Sequence, residues 1–138
     1  MSPSEDVTYL SLADVLALHE AVMERTGYAP VPLRDPGALE SAVLKPQMAA
    51  YYEGADLVRQ AALLAIGISQ AQAFLDGNKR TAFAALDVFL RLNGHAYDGE
   101  PVALGEQLED LAARPDRLEA VTRRFEDWLR PRVGPADR

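Results

Sequence analysis

From Asp56 to about Ala73 the chain has almost no polar side. Leu57, Ala61, Leu64, Ala65 and Ile68 recur along one helical face, and Ala62, Ile66 and Gly67 stand on the others. A helix that is apolar nearly all round must be covered on every side, so this stretch predicts the buried axis of a helical bundle. Beyond a short polar hinge, Thr81 to Leu92 is almost as apolar. Two buried helices should therefore meet at the hinge, the second running from about Asn78 to Asn93 and stopped by Gly94 in the left-handed position.

The hinge reads Gln72-Ala73-Phe74-Leu75-Asp76-Gly77-Asn78-Lys79-Arg80-Thr81-Ala82. Asp-Gly breaks the first helix, and the second then begins with free backbone N–H groups and the positive end of its dipole, an arrangement that attracts anions. Asp76, Lys79, Arg80 and a glycine that lets backbone approach a ligand all lie beside that end. Together they suit a magnesium-bound phosphate group. The plainer alternative is a capped helix-to-helix turn with two solvated cations. Gln72 follows Ile68 by four residues and so ends the same helical face, which sets it over the turn where a catalytic base would sit well. Phe74 has a structural role as the anchor of the turn against the core.

The 138 residues, 49% of them hydrophobic, suit one domain that buries a core without metal or disulfide. There is no cysteine, no apolar run of membrane-spanning length, and no basic region followed by an apolar core at the start. A cytoplasmic protein is the resulting expectation. The net charge of −7 argues against a nucleic-acid partner and against an anionic membrane surface.

Residues 1–9 read as a flexible N-terminus and 131–138 as a flexible tail. Ser11 with Asp14 marks a helix start, and Leu12, Val15, Leu16, His19, Val22 and Met23 form its apolar stripe up to about Arg25. A lone histidine on such a stripe is read as a core residue bonded to a neighbour. Residues 26–32 make a loop with two prolines, and Asp35-Pro36 starts a short helix that should end by Lys45, before Pro46. Tyr51 and Tyr52 are read as covering the edge of the core, slightly ahead of a docking role. After a polar connection from His95 to Pro101, helices are expected at about 102–113 and 116–130, divided by Arg114-Pro115. No alternating period persists, so the fold class is all-α: a single-domain bundle of about six helices.

The hinge resembles the Fic/Doc family, whose core motif H-x-F-x-[DN]-[GA]-N is followed in the Doc (death-on-curing) branch by K-R-T-A. Phe74, Asp76, Gly77, Asn78, Lys79, Arg80, Thr81 and Ala82 stand where that motif puts them. The resemblance covers about Leu10 to Leu129 and implies a domain over 10–130. Fic-type members carry a small residue at the position of Lys79 and a second arginine at that of Phe83, so both departures point to the Doc branch. Doc-like chains carry a similar Leu-His in their first helix, away from the active-site motif, in line with a core role for His19.

What the resemblance implies is phosphoryl transfer from ATP to a hydroxyl of a target protein, a translation factor such as elongation factor Tu. Asp76 would bind Mg²⁺. Gly77, Asn78, Lys79 and Arg80 would hold the phosphates, with Lys79 and Arg80 neutralising charge on the transferring group. AMP transfer, as in Fic-type members, is the alternative. Gln72 stands where the family has its catalytic histidine, and a glutamine amide orients a hydroxyl but does not usefully accept its proton. Three explanations follow, in this order: an engineered inactive variant of a toxic protein, a natural pseudo-enzyme that binds nucleotide or protein, and an enzyme that tolerates glutamine. The self-inhibitory pattern [ST]-x-x-x-E-[GN] is nearly met by Glu53-Gly54, but Ala49 fills its first place, so no built-in inhibitor is expected. A cognate antitoxin, whose disordered tail would fold into a groove on the toxin, is the partner that the resemblance implies.

Overall fold

The computed structural model describes residues 7–27, 32–112 and 118–136. Six α-helices among them build one bundle, and the helix from Leu57 to Ala71 is its axis. Helix α1 (Leu12–Arg25) opens on a reciprocal cap. The Ser11 hydroxyl accepts from the Asp14 N–H at 3.1 Å while the Asp14 carboxylate accepts from the Ser11 N–H at 2.8 Å. Asp35 caps α2 (Pro36–Glu53) through the Ala38 N–H, with Pro36 at the first helical position, and Asp56 caps α3 (Leu57–Ala71) through the Arg59 N–H. Ala61, Leu64, Ala65 and Ile68 of α3 are buried, as an axis requires. Helix α4 (Asn78–Leu92) adds Ala82, Leu86, Phe89 and Leu90 to the same core, and Gly94 ends it at φ +80°. Its Asp87 and Arg91, four apart, form an ion pair at 3.1 Å.

Helix α2 does not stop at Lys45; it runs through Pro46 to Glu53. A proline there removes one helical hydrogen bond, at a cost of about 3 kcal/mol in an isolated helix. Tertiary packing offsets that loss. Pro46 lies on the buried face with Leu39, Ala42, Val43, Ala49 and Ala50, and α2 approaches α3 so closely that a Cβ on Gly67 would stand 3.1 Å from the Ala42 Cβ. Because the helix continues, Ala49 and Ala50 take the core places. Tyr51 and Tyr52 are left 76% and 74% exposed, stacked edge to face on each other rather than covering the core.

Helices α5 (Pro101–Ala112) and α6 (Leu118–Leu129) close the bundle with Leu104, Leu108, Leu111, Val121, Phe125 and Leu129 buried. The sequence-based expectations of a plain polar connection after α4 and a loose tail are corrected. His95–Tyr97 forms strand β1, and Val133–Pro135, entered from a 3-10 turn at Arg130–Arg132, forms strand β2 antiparallel to it, with Ala96 opposite Gly134. Aromatic packing fastens this ribbon: Tyr97 lies 6.1 Å from Trp128 and 6.2 Å from Phe83, and the Arg132 guanidinium sits 4.4 Å over the Trp128 ring.

The start of the domain is likewise held, since the Thr8 backbone exchanges two hydrogen bonds with the Asn93 side chain and the Tyr9 hydroxyl donates to Gln60 Oε1. Residues 1–6 of the expected flexible N-terminus, 28–31 of the proline loop, and Arg114-Pro115 lie outside the described residues. Among those described, no helix is long and apolar enough to cross a membrane.

At the N-terminal end of α3 an alternating chain of charges, Glu53–Arg59–Glu126–Arg130–Asp56, ties α2, α3 and α6 together at 2.6–3.1 Å. Partial burial pushes the Asp56 carboxyl up. Hydrogen bonds from Arg130 and the Arg59 N–H, with both guanidinium charges, outweigh it and hold the group below its ordinary value. A carboxyl depressed in the folded state contributes stability above its unfolded pKa of about 4, and that contribution is lost as pH falls through the folded value. Urea unfolding should therefore show Arg130→Ala less stable than the parent by up to about 1 kcal/mol at pH 6. The gap should close towards pH 2.5. A gap that persists there would assign the Arg130 contribution to packing instead.

Candidate active site

Helix α3 ends at Gln72, which caps it in the left-handed conformation (φ 50°, ψ 38°), the only non-glycine with positive φ among the described residues. The Gln72 side chain is exposed and its Nε2 donates to the Ser69 carbonyl at 3.0 Å. The backbone that follows is clamped from outside. Arg34 Nη2 donates to the Gln72 carbonyl at 2.7 Å, the N–H groups of Arg34 and Asp35 both reach the Ala73 carbonyl, and Leu33 forms a single antiparallel bridge with Phe74.

Underneath, α1 carries the turn. Phe74 is buried flat against the His19 ring, with centroids 3.6 Å apart, and His19 Nε2–H donates to the Asp76 carbonyl at 2.9 Å. His19 is thus a buried, bonded core residue, as its stripe predicts. It is not remote from the motif, however, because it holds the turn directly.

Gly77 has φ +82°, and a Cβ there would meet Met23 Sδ at 2.9 Å and the His19 ring at 3.4 Å. The missing side chain therefore makes room for α1 rather than for a ligand approaching from outside. Asn78 also faces inward: its Oδ1 accepts from the Phe74 N–H and its Nδ2 donates to the Phe74 carbonyl, at 3.1 and 2.8 Å. That side chain closes the turn, so what Asn78 presents to the outside is its backbone N–H.

Helix α4 begins with no side-chain cap. Its first backbone bond runs from the Thr81 N–H to the Gly77 carbonyl at 2.9 Å, which leaves the N–H groups of Asn78, Lys79 and Arg80 without helical partners. The Gly77 N–H is taken by Asp76 Oδ1 at 2.8 Å. These groups line a groove of about 660 Å³ that brings Gln72, Asp76, Gly77, Asn78, Lys79 and Arg80 together, walled on the far side by Val102, Gly105, Glu106 and Glu109 of α5. Lys79 Nζ is in direct contact with Glu109 Oε1, whereas among the described residues no ion pair to Arg80 forms. An apolar groove of about 930 Å³ continues past Lys79 and Arg80, floored by Leu18, Val22, Phe83 and Val88 of α1 and α4.

Four contributors to the site escape a reading of the sequence. His19 and Arg34 act through contacts 57 and 38 residues away, for which no local pattern exists. Glu106 and Glu109 carried a usable signal, since they lie three apart on α5, off the stripe of Leu104, Leu108 and Leu111. The arrangement can seat an oxyanion on backbone N–H groups and flank it with two cations and a carboxylate.

The sequence model of the Fic/DOC family matches residues 9–90. Over 130 residues, 94% of this chain and 98% of the relative, the chain is 32% identical to the "Protein kinase doc" of Escherichia phage P1. It is 44% identical to the "Toxin Doc" of Mycolicibacterium smegmatis over 95 residues, 64% of this chain and 72% of that one. The matched segment spans the turn, the uncapped helix start and the α1 brace beneath them, and by this match the chain belongs to the Fic/DOC family, on its Doc branch.

Proposed function

We propose that this chain is a Doc-type toxin whose groove binds Mg²⁺-ATP for transfer of the γ-phosphoryl group to a protein hydroxyl, with Gln72 leaving that transfer slow. The observation that carries the reading is the uncapped N-terminus of α4, opening between Asp76, Lys79 and Arg80 with Gln72 across from it. The likeness to a protein named a kinase over nearly its whole length supports phosphoryl rather than AMP transfer. Cytoplasmic location, a cognate antitoxin and a translation factor such as elongation factor Tu as target belong to the same proposal. The apolar groove between α1 and α4 is where an apolar antitoxin segment would seat.

In this mechanism the chain supplies position and charge. The N–H groups of Asn78, Lys79 and Arg80 hold phosphate oxygens, and the two cations neutralise charge that builds on the transferring group. Mg²⁺ is ordinarily held by one or two carboxylates plus substrate phosphates, so the single Asp76 carboxylate beside the helix start fits it. Held by Asp76, the ion would supply positive charge to the phosphate group. The Gln72 amide can orient the acceptor hydroxyl by a hydrogen bond but is no usable proton acceptor. Gln72 itself therefore favours a second reading, a protein that binds nucleotide and partner without turnover.

Calorimetry tests the shared part of both readings. Mg²⁺-ATP should bind the parent and bind Asp76→Ala/Lys79→Ala at least about tenfold more weakly, since two charge-assisted contacts are removed. Equal affinity in the double variant would place the nucleotide elsewhere on the molecule.

A further inference from the structure

We propose that Glu109 is a built-in competitor of the nucleotide, holding the Lys79 ammonium until a phosphate group takes its place. The inference rests on the reading of Lys79 as a phosphate ligand. Lys79 is the second residue of the uncapped helix, so its side chain leaves the backbone beside the N–H groups that would receive the anion. Glu109 meets it from the opposite wall. Leu104, Leu108 and Leu111 are buried in the core, and this packing keeps α5 in place and Glu109 over the groove. Glu106 lines the same groove one turn earlier without touching Lys79.

The consequence is a charge balance unlike that of an open phosphate site. Asp76 lies beside Lys79 and Arg80 while Glu106 and Glu109 face them across the groove, so the cation best placed to attract phosphate is already paired. Lys79 and Glu109 are 47% and 56% exposed, which makes the pair modest and displaceable rather than a permanent lock. A triphosphate entering the groove would trade one carboxylate for an anion of higher charge at the same ammonium. Glu53 of the near-match Glu53-Gly54 has no part in this, because it is paired with Arg59 at the other end of α3, roughly 20 Å away along the helix.

Calorimetry of Mg²⁺-ATP with the full chain, Glu109→Gln and Glu106→Gln at low ionic strength tests the proposal. Each variant loses one negative charge from the same wall, and only the first breaks the contact with Lys79. Glu109→Gln should bind about three- to tenfold more tightly than the parent, with a clearly smaller gain in Glu106→Gln. Equal gains, or none in Glu109→Gln, would overturn the competitor role while leaving nucleotide binding in place. If neither the parent nor the folded variants bind Mg²⁺-ATP, the nucleotide reading of the groove fails and the competitor falls with it.

Discussion

Replacing Gln72 by histidine is expected to raise phosphoryl transfer by about 10²-fold or more, the usual contribution of a positioned general base. The geometry gives the substitution room. Gln72 is exposed, its amide folds back only onto the end of its own helix, and the clamp from Arg34 grips its backbone carbonyl rather than its side chain. Histidine is among the residues enriched at positive φ, so the cap conformation survives the change. With ATP labelled on the γ-phosphate, Gln72→His should transfer label to a target protein while the parent transfers little. Induced in bacteria without an antitoxin, the variant should arrest growth and the parent should be tolerated. Label arriving only from the α-phosphate would convert the assignment to AMP transfer. Equal, negligible transfer by both proteins would leave the binding-only reading, and full activity in the parent would remove the role given to the histidine.

Gly77→Ala should destabilise the domain by about 2–4 kcal/mol. The left-handed backbone contributes about 1–2 kcal/mol for any residue with a Cβ. The remainder is steric, because that Cβ would stand 2.9 Å from Met23 Sδ in a packed core and 3.4 Å from the His19 ring. Gly54→Ala is the internal control. Gly54 has a similar φ of +66°, but nothing lies within 4 Å of an added Cβ, so its loss should stop at the backbone part. Urea unfolding of both variants separates the two contributions. If Gly77→Ala is no worse than Gly54→Ala, the turn is not braced on α1 in the way that the His19 and Met23 contacts imply. Nucleotide affinity should fall only in Gly77→Ala, since Gly54 lies at the other end of α3.

Much of this architecture is legible in the amino-acid order, and the parts that are not share a cause. The helices α1, α3 and α4 follow from apolar period, caps and a terminal glycine, all of them local. Pro46 misleads because the local rule for proline is overruled by the Ala42–Gly67 approach, a contact between two helices. The β1–β2 ribbon is three residues a side, too short for alternation to register, and it depends on Trp128 and Tyr97 from separate elements. The motif string places Gln72, Asp76 and Lys79 on one turn. It cannot say that Gly77 faces inward or that an α5 carboxylate meets Lys79, because both are set by residues far along the chain.

The left-handed cap at Gln72 has a genetic consequence. Glutamine and histidine codons differ only in the third base, and here both residues suit the same backbone, with a side chain that no core contact depends on. A gene for this protein thus stands a single base change away from a histidine codon at this position, and the change leaves the rest of the surface intact. On the toxin reading, a lineage could silence the activity without losing the fold. The silenced copy would go on occupying antitoxin, drawing down the free pool available to any active copy in the same cell.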